Sequence, residues 1–392
     1  MKISALLVAG MMAGIGMSAP SRAATIADQS ISIPSIIGKP QPASRVLRLT
    51  GMIEEGDAAR LRAILTGMGK KGLQDAGAPL ATIEMSSAGG DLLEGLKLGY
   101  LFREFDVATL VRARDSCLSA CALAFLGGTA SHRRTEVVTA RTIEVGAILG
   151  FHNFALNPNH PTASAASSPR EGIAKGFNEA QGAAALFVHY VGAMGVDSPF
   201  IARMLGRPPQ VWEYVDTAEK FLELKICPAG VLRPLPAPAA RALNICSNLM
   251  HSPAQVVPPH ARRLPAAEAK RRLLEHVQRN VSALNMNGLL AAQLAAVVAS
   301  RDERLLNSVY ADLRAAGLPL PEIVGPTFEV TGFESEPYRL QCTVSLSLDD
   351  PDKFDAVIQE PAALSKPDRR ITPACSRLLG YEPGEKLNPL RE

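Results

Sequence analysis

The sequence predicts an α/β protein with a mainly parallel sheet, followed by a smaller C-terminal α+β region. In the first part of the chain, short apolar runs bounded by turn residues alternate with stretches whose apolar residues recur at helical spacing. Repeated β-α units of this kind favour a parallel sheet with its functional groups in the loops after the strands. A proline-rich break then precedes a segment with helical spacing and, later, strand-like alternation.

The alternation of strand and helix starts at residue 45. Residues 45–51 alternate apolar and polar side chains like a strand, and a helix opens at residues 56–57. A second strand at 80–85 runs into the serine- and glycine-rich turn 86–90, after which Asp91 caps a second helix. These units begin the predicted parallel sheet.

The next two predicted strands lead to a serine and a histidine. Residues 107–111 form the third strand, which precedes Ser119 and a short apolar helix, and residues 145–151 form the fourth, which ends at His152. The segment 155–170 is rich in Asn, Pro, Ser and Ala, which favours a loop beyond the histidine. Three further helices are predicted, at 172–194, 199–205 and 217–224.

Composition divides the chain into five segments. Residues 1–24 have the pattern of a signal peptide, because Lys2 precedes an apolar run that ends in the small-x-small sequence 21–23. The run is at the short limit for a membrane span, so an uncleaved anchor is the alternative.

Roughly 365 mature residues exceed one ordinary core, which favours two domains. The other segments are an extended lead-in at 25–44, a first domain at 45–228, a proline-rich linker at 229–263 and an α+β region at 264–392.

The C-terminal region predicts helices followed by strands. Residues 264–316 carry apolar residues at the spacing of two or three helices, and residues 327–348 alternate like strands. No catalytic motif is recognisable there. We expect a small partner or regulatory domain.

The charge of the chain argues against nucleic acid as a partner. Removal of Lys2 and Arg22 with the signal peptide lowers the formal charge from +3 to +1, and no basic stripe is interleaved with aromatic residues.

No second apolar run approaches the length of a membrane span. We therefore expect a periplasmic or secreted protein without a stable membrane span after cleavage.

The cysteines of an exported chain predict disulfides, because thiols outside the cytoplasm are commonly oxidised. Proximity along the sequence suggests that Cys227 pairs with Cys246 and that Cys342 pairs with Cys375.

Cys117 and Cys121 are four residues apart and flank Ser119. A bridge between them needs a non-helical first turn to satisfy disulfide geometry. Metal binding is the other interpretation of this spacing, but no second ligand pair lies nearby, so we predict no metal site. We interpret the two cysteines as structural; a cysteine nucleophile is the alternative.

Ser119, the glycine pair Gly89-Gly90 and His152 have the chemistry of a nucleophilic site. A serine hydroxyl is a poor nucleophile unless a base takes its proton, and an imidazole is suited to that exchange. The two glycines let the main chain approach a developing negative charge without obstruction by Cβ. The structural alternatives are a helix-capping serine, a core histidine and a simple turn.

Four stretches of the first domain together resemble one known superfamily. They are the opening strand 45–53, the strand and glycine turn 83–90, the strand and helix 107–125, and the segment 150–152. Residues 45–228 resemble the ClpP/crotonase superfamily, and within it they are similar to exported proteins like the Clp protease proteolytic subunit. The resemblance implies that Ser119 is the nucleophile, that His152 is its general base, and that the backbone N–H groups of Gly90 and Ala120 face the oxyanion.

The acidic member of a triad is not identified by this resemblance. Residues 215–219 resemble the stretch just after the catalytic aspartate of the family, but Trp212 stands where that aspartate is expected. Glu213, Asp216 and Asp197 are the candidates. A displaced carboxylate, a Ser-His dyad and a site that has lost activity all stay open.

Three functions are compatible with the sequence. The first is an exported serine peptidase or related hydrolase, which forms an acyl-enzyme with a peptide or protein substrate and needs no cofactor. The second is a catalytically silent envelope protein that binds partners or oligomerises, and the superfamily resemblance implies a homo-oligomer in either case. The third, a crotonase-like acyl-CoA enzyme, is disfavoured because coenzyme A belongs to the cytoplasm.

Overall fold

The structure is a computed structural model. It describes residues 23–29, 45–68, 79–132, 136–153, 169–196, 198–230, 232–250, 259–279, 288–300, 302–318, 320–335, 338–350, 352–360, 363–365 and 373–388. All but the last two residues of the predicted signal peptide, most of the lead-in and nearly all of the predicted loop 155–170 lie outside these ranges.

Helices and strands alternate through the first part of the described chain. The strands are β1 (Thr25–Asp28), β2 (Val46–Thr50), β3 (Ala81–Ser86), β4 (Val107–Val111), β5 (Ser116–Leu118), β6 (Thr129–His132), β7 (Glu136–Thr139), β8 (Arg141–Glu144), β9 (Ile148–Phe151), β10 (Glu213–Tyr214), β11 (Cys227–Ala229), β12 (His260–Leu264), β13 (Thr327–Ser335), β14 (Tyr338–Leu346), β15 (Phe354–Glu360) and β16 (Ala363–Ser365). The α-helices are α1 (Asp57–Gly67), α2 (Leu92–Glu104), α3 (Ala120–Phe125), α4 (Pro169–Ala193), α5 (Ser198–Leu205), α6 (Ala218–Glu223), α7 (Pro238–Met250), α8 (Ala266–Arg279), α9 (Gly288–Ala299), α10 (Glu303–Ala315) and α11 (Pro373–Ser376).

A largely parallel sheet forms the centre of the first part of the described chain, so the predicted α/β class is confirmed. Its strand order is β1-β2-β3-β4-β8-β11, and only the β1–β2 pair is antiparallel. Apolar side chains of its strands, such as Leu47, Leu49 and Ile83, are fully buried in the core. The predicted cap also forms, because the Asp91 side chain accepts a hydrogen bond from the Glu94 N–H at the start of α2.

A second, three-stranded sheet was not expected from the sequence. Its order is β10-β9-β5, with β5 and β9 parallel and β10 antiparallel to β9. The predicted strand 145–151 is therefore wrong as one element, because residues 141–144 join the large sheet and residues 148–151 join the small one. A turn at residues 145–147 separates the two.

Between α3 and β9, strands β6 and β7 pair antiparallel and are followed by strand β8. Arg141, the first residue of β8, is fully buried and donates to the carbonyl oxygens of Leu224 at 2.6 Å and Met194 at 2.5 Å. Burial lowers the pKa of Arg141 to about 10. The guanidinium thereby ties the large sheet to the C-terminal ends of α4 and α6.

The C-terminal part combines helices with a five-stranded antiparallel sheet of order β12-β13-β14-β15-β16. Helices α8, α9 and α10 share one apolar cluster, and α7 packs on strands β13 and β14 in another. The predicted linker 229–263 contains α7 and most of β12. The proposed boundary between domains stays a prediction.

The predicted disulfides between the last four cysteines are wrong. Cys227 is bonded to Cys375, and Cys246 is bonded to Cys342. Proximity along the chain misled the prediction because α7 packs against β14, while α11 returns to β11 from the far end of the sequence.

The bridge between Cys117 and Cys121 forms, with Cα atoms 5.2 Å apart. Its geometric requirement is met because Cys117 belongs to strand β5 and Cys121 to the first turn of α3. Leu118 and Ser119, which lie between them, precede the helix.

Asn388, the last described residue, packs against the turn between β8 and β9. Asn388 is buried, its Oδ1 accepts from the Gly146 N–H at 2.8 Å, and its Nδ2 donates to the Ala147 carbonyl oxygen at 2.8 Å. These bonds fix the turn between β8 and β9.

Among the described residues, no helix has both the length and the apolar character needed to cross a membrane.

Replacement of Asn388 by alanine is expected to destabilise the fold by about 1–3 kcal/mol, because the buried Ala147 carbonyl oxygen and the partly buried Gly146 N–H lose this partner. Urea unfolding of Asn388→Ala and wild type measures the change. Asn307→Ala is the control, because Asn307 is exposed and accepts one bond from Lys270; it should change stability by less than about 0.5 kcal/mol. Equal stabilities of the two variants would contradict the role given to Asn388.

Candidate active site

Ser119 lies in a sharp turn between strand β5 and helix α3. Its φ of 54° and ψ of −123° are rarely adopted by a residue other than glycine. The Ser119 side chain makes no capping hydrogen bond to α3, so helix capping does not explain it. The turn instead directs the hydroxyl away from the helix and toward β9.

His152 meets Ser119 because their strands are parallel neighbours. Leu118 pairs with Gly150 in the β5–β9 register, so Ser119 and His152 both follow the carboxyl ends of adjacent strands. The Ser119 N–H donates to the Gly150 carbonyl oxygen at 3.0 Å. The His152 Nε2 lies 2.8 Å from the Ser119 Oγ, within hydrogen-bond distance. Residues that are 33 positions apart thus form a serine–imidazole pair.

The double-glycine turn lies directly beneath Ser119. Gly89 and Gly90 have φ values of 105° and 141°, a region that disfavours side chains. A Cβ on Gly89 would lie 2.7 Å from the Ser119 Cβ and 2.8 Å from the Leu118 carbonyl oxygen. On Gly90 it would collide with the backbone of Ile53. Both positions therefore require glycine for close main-chain packing.

The main chain also supplies polar groups at the site. Ala120 is the first residue of α3, and an N–H at that position has no acceptor within its own helix. Ala120 and Gly90 line the same cavity as Ser119 and His152. The lining of one cavity thus includes Ser119, His152 and the two residues whose N–H groups are the predicted oxyanion donors.

That cavity has a volume of about 160 Å³ and is otherwise apolar. Its apolar lining comes from Leu92, Leu123, Phe151, Phe187 and Met204. Sequence reasoning missed Phe187 on α4 and Met204 on α5 as site residues, because apolar residues at helical spacing are indistinguishable from core residues without the tertiary fold.

The structure does not bring Glu213 or Asp216 into hydrogen-bond contact with His152. Glu213 is buried and paired with Arg207 and Lys220, and Asp216 contacts the same lysine at 2.7 Å. Both carboxylates are thus engaged by cations. Asp197, the third candidate, lies outside the described residues.

The neighbour of the imidazole is an aromatic ring. Glu213 pairs with Phe151, so the same antiparallel register places Trp212 opposite His152. The Trp212 and His152 ring centroids are 4.4 Å apart with planes inclined by 50°. Because side chains alternate along an extended segment, Glu213 points to the other side. The His152 Nδ1 is buried and has no hydrogen-bond partner among the described residues.

The backbone beyond His152 is held by an amide side chain. Asn153 donates through Nδ2 to the carbonyl oxygens of Leu205 and Arg207, each at 3.1 Å. This links the end of β9 to the segment that leads to Trp212.

In the part of the chain that the structure describes, no group of His, Cys, Asp or Glu is arranged to hold a metal ion.

No protein-family model matches this sequence, and no curated protein matches it either. Among solved structures, the chain is similar to the crystal structure of the ClpP protease catalytic domain from Plasmodium falciparum. The two share 16% identity, and the match covers 49% of this chain and 87% of that chain with a TM-score of 0.31. A likeness at this level does not bear on the chemistry of the site.

Replacement of Gly89 by alanine is expected to lower the free energy of unfolding by at least about 1–2 kcal/mol, because the methyl group meets the Ser119 turn and the backbone has positive φ. Denaturant unfolding measures the change. Gly182→Ala is the control, because Gly182 lies on α4 with open space around it; alanine there should leave stability unchanged or raise it by about 0.5–1 kcal/mol. A Gly89→Ala protein as stable as wild type would contradict this packing.

Proposed function

We propose that this protein is an exported serine hydrolase that cleaves peptide-like substrates through Ser119 and His152. The observation that carries the proposal is the 2.8 Å separation of Oγ and Nε2 beside a cavity that Gly90 and Ala120 help to line. Nucleophile, base and amide donors are the parts that acyl transfer requires.

In the proposed reaction, the His152 Nε2 takes the Ser119 proton as Oγ attacks the substrate carbonyl carbon. The developing oxyanion accepts hydrogen bonds from the N–H groups of Gly90 and Ala120. The imidazolium then donates its proton to the leaving amine, which departs as the C–N bond breaks. Water, activated by the same imidazole, attacks the acyl-enzyme, and release of the acid restores the Ser119 hydroxyl.

The lining of the cavity suggests the substrate class. A space of about 160 Å³ between Leu92, Phe187 and Met204 suits one apolar side chain next to the reacting carbonyl. A charged side chain would lose its hydration there without finding a counter-ion among the lining residues. We therefore expect cleavage after apolar residues.

The proposed site works as a Ser-His dyad. No described carboxylate contacts the His152 Nδ1, and the Trp212 ring packs on the imidazole instead. An aromatic face attracts a cation, so Trp212 both holds the ring and favours the imidazolium formed during reaction. A dyad without an orienting carboxylate is expected to react slowly.

The same observation favours the alternative function, a catalytically silent module that binds partners at the envelope. An imidazole without a partner at Nδ1 lacks the group that fixes its tautomer in a triad.

Three disulfides suit the oxidising compartment that both functions assume, and periplasmic or secreted localisation is part of the proposal. Assembly into a homo-oligomer stays a prediction.

The reaction of Ser119 with a fluorophosphonate probe tests the hydrolase function. We expect the purified protein to be labelled on Ser119, with labelling lost in Ser119→Ala and strongly slowed in His152→Ala. Mass spectrometry of the labelled peptide identifies the residue, and heat-denatured protein is the negative control. A folded protein that takes up no label would favour the silent module.

The Trp212→Leu variant tests the role of the aromatic ring. We expect its labelling rate to fall about fivefold, because a cation–π contact contributes about 1 kcal/mol to the imidazolium. Val211→Ala is the control, since Val211 is exposed and adjacent in sequence, and it should label at the wild-type rate. An unchanged rate in Trp212→Leu would leave Trp212 with a packing role only.

A further inference from the structure

The disulfide between Cys117 and Cys121 encloses both Ser119 and Ala120. Both cysteines are fully buried, and their Cα atoms are 5.2 Å apart. We propose that this bridge positions the Ser119 hydroxyl and the Ala120 N–H for reaction, and that it matters more to activity than to folding. The inference rests on the proposed function.

The conformation of Ser119 needs support from its surroundings. A residue held at φ 54° and ψ −123° persists only where neighbouring contacts fix it. On the strand side, the Leu118 N–H donates to the Ser87 carbonyl oxygen, and the Ser119 N–H donates to that of Gly150, each at 3.0 Å. These bonds hold the residues before and at the turn.

On the helix side, the disulfide supplies the covalent restraint. Helix α3 has six residues. The Leu123 N–H donates to the Ser119 carbonyl oxygen at 3.1 Å, but this is the first hydrogen bond of the helix and does not tie the helix to strand β5. Cys121 lies in the first turn of α3 and is bonded to Cys117 of β5. The bridge therefore fixes the start of the helix, and with it the Ala120 N–H, relative to the strand that Ser119 follows.

Loop length separates this bridge from the other two. A disulfide stabilises a fold chiefly by restricting the unfolded chain, and the effect grows with the length of the closed loop. The sequence separation is 4 for Cys117–Cys121, against 96 for Cys246–Cys342 and 148 for Cys227–Cys375. The short bridge contributes least to stability by this mechanism, yet it alone spans the turn of the proposed nucleophile.

A pair of double variants separates the two effects. Cys117→Ala with Cys121→Ala removes the short bridge, and Cys246→Ala with Cys342→Ala removes a long one from an equally buried position. Fluorophosphonate labelling rates, kcat and KM on an apolar peptide ester, and melting temperatures are measured for both and for wild type. The control is assayed below its own melting temperature.

We expect the short-bridge variant to label about ten- to a hundredfold more slowly, because a misplacement of about 1 Å at a reacting group has effects of that size. The loss should fall on kcat with KM little changed, since the apolar cavity is retained. Its melting temperature should drop less than that of the long-bridge variant, which should label at the wild-type rate.

Wild-type labelling and kcat in the folded short-bridge variant would overturn this inference and leave the proposed function intact. If that variant does not fold, the bridge is needed for folding and the inference is overturned, unless Cys117→Val with Cys121→Ala, which refills part of the lost volume, folds and shows the kcat loss. No labelling of wild type would remove the proposed function first, and this inference with it.

Discussion

The parallel pairing of β5 with β9 is the constraint on which the site depends. The Leu118–Gly150 register places the carboxyl ends of both strands side by side, and Ser119 and His152 follow those ends. The glycine turn is attached to the same sheet, because the Leu118 N–H donates to the Ser87 carbonyl oxygen and Gly89 packs closely against Ser119. The large parallel sheet contributes the scaffold, whereas the small sheet determines which side chains meet.

Ser119 and His152 are held in place by different kinds of contact. Ser119 is surrounded by backbone bonds, glycines and a disulfide, all of which fix its position. His152 is held at Nε2 by the serine and on its face by Trp212, while the carboxylates nearby are neutralised by Arg207 and Lys220. For the proposed hydrolase, a well-fixed Ser119 beside an imidazole without a carboxylate partner predicts slow reaction.

Long periodic segments of the sequence predicted the fold well, and short segments did not. Strands β2, β3 and β4 and the Asp91 cap follow from local patterns, since alternation and capping act within a few residues. Strands β5 and β10 have three and two residues, too few to show a period. Ser119, Gly89, Gly90 and His152 stood out in the sequence by residue type and order, and the structure brings them together, while their catalytic roles stay a prediction. The disulfide pairs, Phe187, Met204 and the Trp212–His152 contact depend on tertiary packing, which residue spacing does not encode.

In the proposed function, Ser119, the N–H groups of Gly90 and Ala120 and the apolar cavity act on one substrate carbonyl. The most direct measurement is a crystal structure of the protein after reaction with a peptidyl phosphonate that carries an apolar side chain next to phosphorus. We expect phosphorus bonded to the Ser119 Oγ, a phosphonyl oxygen within hydrogen-bond distance of the Gly90 and Ala120 N–H groups, and the apolar side chain between Phe187 and Met204. A phosphonate that stays unbound, or one bonded to another residue, would contradict it.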